Sequence, residues 1–235
     1  MNPNYGIDAL PAVRNLALVG LAAWLLFAAS FAVDSLGSFG RIFLSYAVAF
    51  TITPGLMVLY AKVGKFRHRD RMLAMVDWRG DENVLDVGTG RGLLMIGAAK
   101  KLTTGRAVGI DIFNSSDLSG NNMENGKLNA EIEGVTSKVE ILNEDAREMS
   151  FPDESFDVVL SNLCLHNIKG NDGRTQACDE IARVLKPGGV ALISDFMKTG
   201  VYQKAFDDAG LKTTRSGRFF WDTFPPLRIV TARKP

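Results

Sequence analysis

Val84-Leu85-Asp86-Val87-Gly88-Thr89-Gly90-Arg91-Gly92 is the stretch whose reading decides the fold. A short apolar run ends in an acidic residue, three glycines alternate, and a helical pattern opens at Leu93. An apolar run feeding a glycine turn and a helix start is a nucleotide-binding βα unit. Glycine reaches dihedrals closed to other residues and lets a ligand approach the main chain. Spacing selects the ligand. The dinucleotide fingerprint G-x-G-x-x-G needs a third glycine where this chain has Leu93, so the pattern present is acidic-x-G-x-G-x-G.

Outward from that turn, 235 residues that are 46% hydrophobic suffice for one sizeable domain and a small appendage. The net charge of +1, from 27 basic and 26 acidic residues, leaves no footprint for a nucleic-acid partner. Cys164 and Cys178 lack the spacing of a metal site and read as free thiols in a reduced compartment. No metal is expected.

Upstream, Leu16 to Val33 carries no charge, and with Ala12 and Val13 it reaches the roughly 20 residues that a spanning helix needs. Asp34-Ser35-Leu36-Gly37-Ser38 breaks it. A second apolar run, Ile42 to Val63, has Lys62 as its single charge and Thr53-Pro54-Gly55 inside it. A two-span membrane hairpin (about 12–33 and 42–63, within residues 1–64) is expected, over a soluble helical cap or a cleaved signal peptide. The second run exits into Lys65, Arg67, Arg69 and Arg71, whereas the connecting loop has only Arg41 against Asp34. That bias places both ends of the hairpin, and the downstream domain, on the cytoplasmic face. His68, inside the basic run, reads as solvated or at headgroup level.

An amphipathic linker helix is expected over 65–80, then a domain over 81–235 in which strand and helix patterns alternate, as in a parallel sheet with crossover helices. Strands are expected at 83–87, 107–111, 139–142, 156–161 and 190–195. Helices are expected near 92–102, 121–133, 174–184 and 202–209. Two further strands, around 213–220 and 227–232, close the chain through a short turn containing Pro225-Pro226. Asp111 ends the second strand, where an acid accepts from both ribose hydroxyls of a nucleoside or simply caps the strand. Ile112 and Phe113 follow, placed to pack beside a base.

The acidic-x-G-x-G-x-G turn resembles the first motif of class I S-adenosylmethionine (SAM) methyltransferases. Arg183-Val184-Leu185-Lys186-Pro187-Gly188-Gly189 resembles the stretch that closes the helix before their fifth strand. The resemblance covers residues 70–235 and not the hairpin. It implies a doubly wound, seven-stranded, mostly parallel α/β sheet, Rossmann-like, with a C-terminal antiparallel hairpin. It further implies SAM as cofactor, held by Asp86, Gly88, Thr89, Gly90, Gly92, Asp111 and Ile112. Asp145 would accept from the adenine amino group, the Ala146 amide would serve the ring, and Ser161 and Asn162 would complete the site at the end of strand four. DNA amino-methyltransferases carry an Asn/Asp-Pro-Pro-aromatic loop there; this chain has Ser161-Asn162-Leu163-Cys164, so DNA is set aside.

Leu165-His166-Asn167 resembles a turn of small-molecule methyltransferases, a group that includes quinone C-methyltransferases. His166 is the candidate base, because imidazole titrates near neutral pH, or else it caps a helix or shapes the cofactor site. Asp195, ending strand five, faces substrate or makes a structural hydrogen bond. Trp221, Phe224 and Pro225 are placed to line or lid a pocket. The expected activity is methyl transfer by in-line displacement onto a small, lipophilic acceptor. The alternatives are a water-soluble amine, phenol or thiol acceptor, a non-catalytic SAM-binding adaptor, and a nicotinamide dehydrogenase.

Overall fold

Both apolar runs fold as long helices. The computed structural model describes residues 2–235, with α1 at Leu10–Ala29, a single turn α2 at Asp34–Gly37 and α3 at Gly40–Leu59. Each long helix has 20 residues, which at 1.5 Å per residue is about 30 Å, the thickness of a bilayer's hydrocarbon core. They lie antiparallel, because Gly20 meets the Phe50 backbone while Gly40 meets Ser30. A Cβ on Gly20 would stand 2.7 Å from the Phe50 carbonyl oxygen, so that position needs glycine. Trp24 donates from its indole to Thr51 Oγ1 at 3.0 Å, which makes it a packing residue between the helices. The outer surface is apolar and open: Leu18 and Leu21 are 57% exposed and Leu25 65%.

The second helix does not stop at the basic run. A π-helical turn, Tyr60–Gly64, carries it into α4, Lys65–Leu73, which ends earlier than the expected linker. His68 is the clear departure from expectation, being fully buried and not solvated. Its Nε2 lies 2.6 Å from Ser194 Oγ, and Arg71 donates to Nδ1 at 3.0 Å, which assigns the proton to Nε2. Burial, with the Arg71 cation beside it, pushes the imidazole down to about 4, so it is neutral at physiological pH. One-dimensional charge reading missed this because His68 points from α4 into the sheet rather than outward with Arg67.

The seven-stranded sheet has the order β3-β2-β1-β4-β5-β7-β6. Its strands are β1 Asn83–Val87, β2 Arg106–Asp111, β3 Val139–Asn143, β4 Phe156–Asn162, β5 Leu185–Asp195, β6 Lys212–Arg215 and β7 Arg228–Arg233. All neighbours run parallel except β7, which is antiparallel to both β5 and β6. The chain winds outward from β1 to β3 and then returns to β4, so the order reverses between β1 and β4. Ligands of open α/β sheets bind at that reversal, beyond the carboxyl ends of the strands. One face is covered by α7 (Gly170–Val184) and α8 (Thr199–Asp208), with Leu85, Val159, Ile181 and Phe206 in its core. The other is covered by α4, α5 (Leu93–Ala99) and α6 (Met123–Ile132), with Met72, Met95, Ile96 and Leu160 buried.

Two boundaries differ instructively. β5 begins at Leu185, paired with Phe156, so Pro187-Gly188-Gly189 forms an irregularity within the strand instead of a separate turn. Gly188 supplies the positive φ, and a Cβ on Gly189 would meet the Asp157 carbonyl oxygen at 2.9 Å. The terminal hairpin is not short: β6 stops at Arg215, and residues 216–227 leave the sheet to pack on α4. Asp222 pairs with Arg71, whose guanidinium lies 4.3 Å over the Phe219 ring. Those contacts compete successfully with strand pairing.

Residues 4–8 belong to the sheet domain rather than to the hairpin that follows them. Tyr5 is 4% exposed, packs edge-on against Phe66 and donates to Glu133 at 3.1 Å, while Asp8 bridges to Leu118.

Candidate functional site

The glycine turn leaves β1 with Gly88, Gly90 and Gly92 all at positive φ, so the sequence pattern is a conformational requirement here. The Gly88 and Thr89 amides donate to the Ile110 carbonyl at 2.8 and 3.0 Å, locking the turn onto β2. A side chain on Gly88 would collide with Cys164, which packs directly on the turn. The turn therefore forms a backbone cradle.

A cavity of about 450 Å³ opens over that cradle, between the ends of β1, β2 and β4, within the size range of small-ligand sites. Asp86, at its base, is 2% exposed. One of its oxygens accepts from Thr89 Oγ1 and the Met95 amide, each at 2.9 Å. Burial pushes this carboxyl up to about 7 despite those two hydrogen bonds. A cation beside it would relieve that cost. Asp111 accepts from the Gly90 amide at 2.8 Å on one oxygen and from the Phe113 amide at 2.6 Å on the other.

Asp145 lines the cavity beside the buried Ala146, but its carboxylate is already engaged by Arg147 through Nε at 3.0 Å and Nη2 at 2.6 Å. That pairing holds it below the usual carboxylate range. Thr89, Ile112 and Asn162 also face the cavity. Asn121 Oδ1, Asn162 Oδ1 and Arg91 Nε are buried without a protein partner among the described residues, and all three residues line it. Orphaned buried polar atoms are uncommon and fit a site that expects a ligand. Leu163 in the lining and Phe113, next to Ile112, add backbone strain, with φ of 56° and 53°.

Four sequence candidates stand apart from the cavity lining. Ser161 is fully buried and spends its hydroxyl on the Val87 carbonyl at 2.8 Å, tying β4 to β1. Gly92 acts through its left-handed backbone at the start of α5. His166 and Asp195 also lie outside the lining, just behind Cys164 and Asn167, which belong to it. They form a dyad: His166 Nδ1 sits 3.0 and 3.1 Å from the two Asp195 oxygens. The carboxylate is 1% exposed and also accepts from Tyr202 Oη at 3.0 Å and the Phe196 amide at 2.8 Å. This assigns the proton to Nδ1 and leaves the lone pair on Nε2.

The opposite wall was not foreseen. Tyr5, Asp8 and Lys65 close the cavity from the side of the apolar helices. Lys65, 3% exposed, donates to the Tyr5 and Gly6 carbonyls at 2.6 and 2.8 Å and pairs with Asp8 at 3.5 Å. Burial lowers its pKa, and Asp8 opposes that shift. Within a run of cations nothing distinguishes Lys65 from its solvated neighbours; only the return of residues 4–8 onto it does.

Residues 85–193 match the family model described as "Methyltransferase domain". The chain is 34% identical over 127 residues to the ubiquinone/menaquinone biosynthesis C-methyltransferase of Hydrogenovibrio crunogenus, covering 53% of this chain and 46% of that protein. It spans about half the length of the curated relatives it matches. Among solved structures it resembles a SAM-dependent methyltransferase from Aquifex aeolicus, with a TM-score of 0.55, 18% identity and coverage of 70% of this chain and 88% of that one. It also resembles geranyl diphosphate C-methyltransferase from Streptomyces coelicolor, with a TM-score of 0.59, 14% identity and coverage of 72% and 77%.

Proposed function

We propose that this chain, which carries a class I SAM-dependent methyltransferase domain, is a membrane-anchored enzyme that methylates a small lipophilic acceptor. SAM is the methyl donor of that domain. The observation that carries the lipophilic reading is the position of the cavity. Its wall includes Lys65, the first residue after the π-turn that ends the second apolar helix. Two long apolar helices with open apolar faces support a membrane hairpin. The packing of residues 4–8 on the sheet domain supports it independently, since a two-span hairpin returns its ends to one side. The Lys/Arg bias makes that side cytoplasmic.

The cavity's donor set fits the cofactor. Asp86 would hold the ammonium group, Asp111 would accept from the ribose hydroxyls, and Ile112 would serve the base. Asp145 and the Ala146 amide would serve the adenine edge, with Arg147 sharing the Asp145 carboxylate. Bound SAM supplies a methyl group made electrophilic by its sulfonium. The chain's part is to align acceptor and donor and to exclude water. His166, fixed by Asp195, removes the acceptor's proton at Nε2.

Asp86 gives this reading a pH signature. Only its ionised form attracts a cation, and its carboxyl is raised to about 7. Binding therefore expels a proton below pH 7, so affinity rises with pH and levels off above it. SAM binding is expected to be about tenfold weaker at pH 6 than at pH 8 by calorimetry. Asp86→Asn should bind weakly at both, with that step gone. An unchanged step in Asp86→Asn would assign it to another group.

The function itself is tested by expressing the full chain and searching extracts by mass spectrometry for products that gain one methyl. A methylated lipid-phase product is expected. Methylated amines, phenols or thiols in the aqueous phase alone would leave the hairpin as an anchor. No product, despite SAM binding, would make the chain an adaptor.

A further inference from the structure

A second cavity, of about 260 Å³, lies where the apolar helices meet the sheet domain. One side is the end of α3 and the π-turn, with Leu56, Leu59, Tyr60 and Val63; the other is the 216–227 loop, with Trp221 and Phe224. The loop is held there firmly. Gly64 touches the Asp222 backbone so closely that a Cβ would overlap its carbonyl oxygen, and Arg71 pairs with the Asp222 side chain. Yet Trp221 is fully exposed and Phe220 is 65% exposed, at the level where the second helix leaves its apolar stretch. Tryptophan concentrates at that level of a bilayer. Lys62 and Arg67 stand exposed beside it, with charge that suits anionic headgroups.

A hydrogen bond links the lining of this groove to that of the cofactor cavity. Tyr60 lines the groove, Asn162 lines the cofactor cavity, and Asn162 Nδ2 donates to Tyr60 Oη at 3.3 Å. Asn162 Oδ1 is buried without a partner among the described residues, so the partition still offers an acceptor. Tyr60 also opens the π-turn, a distortion that occurs frequently at functional sites.

We propose that this groove binds the apolar tail of the methyl acceptor as it arrives from the bilayer, with the acceptor's polar head passing the Tyr60–Asn162 partition toward the cofactor. The proposal rests on the lipophilic-acceptor reading and gives it a location. The tail is a flexible hydrocarbon chain, since most of the lining is aliphatic and aromatic, with Arg67, Asp222 and Thr223 its polar members, and it continues the apolar face of α3. Leu59 and Val63, 56% and 40% exposed, form the tail side, and Arg67 marks the rim.

The test uses the full chain in phosphatidylcholine/phosphatidylglycerol vesicles containing a trace of a long-chain alcohol with a diazirine in its tail. After illumination, adducts are expected on the lipid-facing part of α1 around Leu18, Leu21 and Leu25, and also on residues 218–224. Leu59→Trp and Val63→Trp, both at exposed positions, should each cut the 218–224 adducts at least fivefold. SAM affinity and α1 labelling should stay within twofold of wild type. Adducts on α1 without enrichment over 218–224, or 218–224 adducts unchanged in both variants, would overturn the tail site while leaving the anchor standing. Absence of adducts on α1 as well would overturn the anchor and the tail site together, with SAM binding in the same vesicles reporting whether the domain is intact.

Discussion

Gly88→Ala is expected to abolish measurable SAM binding, a loss of at least 100-fold or about 2.7 kcal/mol. Two costs combine at this position. Its φ of +75° is one that side-chain-bearing residues rarely adopt, and the added methyl would overlap both Sγ and Cβ of Cys164. The strain alone is small, about 1–2 kcal/mol. Gly134→Ala isolates it, because Gly134 has a φ of +71° and nothing within 4 Å of an added Cβ. That variant should lose a little stability and no SAM affinity. The collision is the larger cost, since relieving it moves either the cradle or the end of β4, and both line the cavity. Cys164→Gly combined with Gly88→Ala should regain part of the affinity. Cys164→Ala should not, because the Cβ that remains is itself in the way. Titration calorimetry on the four variants checks the series; near-wild-type affinity in Gly88→Ala would remove the turn from the cofactor site.

The second large effect belongs to His166. His166→Ala is expected to lower kcat by 10²–10⁴, the usual worth of a positioned general base, with SAM affinity within twofold of wild type. Asp195→Asn should lower kcat less while keeping Tyr202 hydrogen-bonded, because an amide still accepts but no longer fixes the imidazole proton on Nδ1. Steady-state kinetics and calorimetry on the same preparations separate the two readouts. Equal losses in turnover and affinity would make His166 a residue that shapes the cofactor site. His166 itself is not among the residues lining the cavity, whereas its neighbours Cys164 and Asn167 are.

The sheet was legible because each parallel strand holds a short apolar stretch, such as Val84-Leu85, Ile141-Leu142 or Val158-Val159-Leu160, between turn residues, and β1 to β4 fall within a residue or so of their expected ends. The glycine turn and the acids at strand ends were legible for the same reason: backbone conformation and strand polarity fix where those residues must stand. The rest depended on contacts far apart in sequence. His68 and Lys65 sit among exposed cations and read like them, yet one is capped by Ser194 of β5 and the other by the carbonyls of Tyr5 and Gly6. The strand expected to run to Phe220 stops at Arg215, because Arg71 and Gly64 claim Phe219 and Asp222. Ser161 had the right place in sequence and the wrong direction: it points along the sheet to Val87 and not into the cavity.

Methyl transfer in a membrane tests the central claim most directly. The purified full chain, in vesicles made from a bacterial lipid extract, is given SAM labelled on its methyl group, and the label is followed into the organic phase. Time-dependent label in a lipid-phase product is the expected result, absent in Gly88→Ala and slowed at least 100-fold in His166→Ala. Tight SAM binding with all label remaining in the aqueous phase would contradict it.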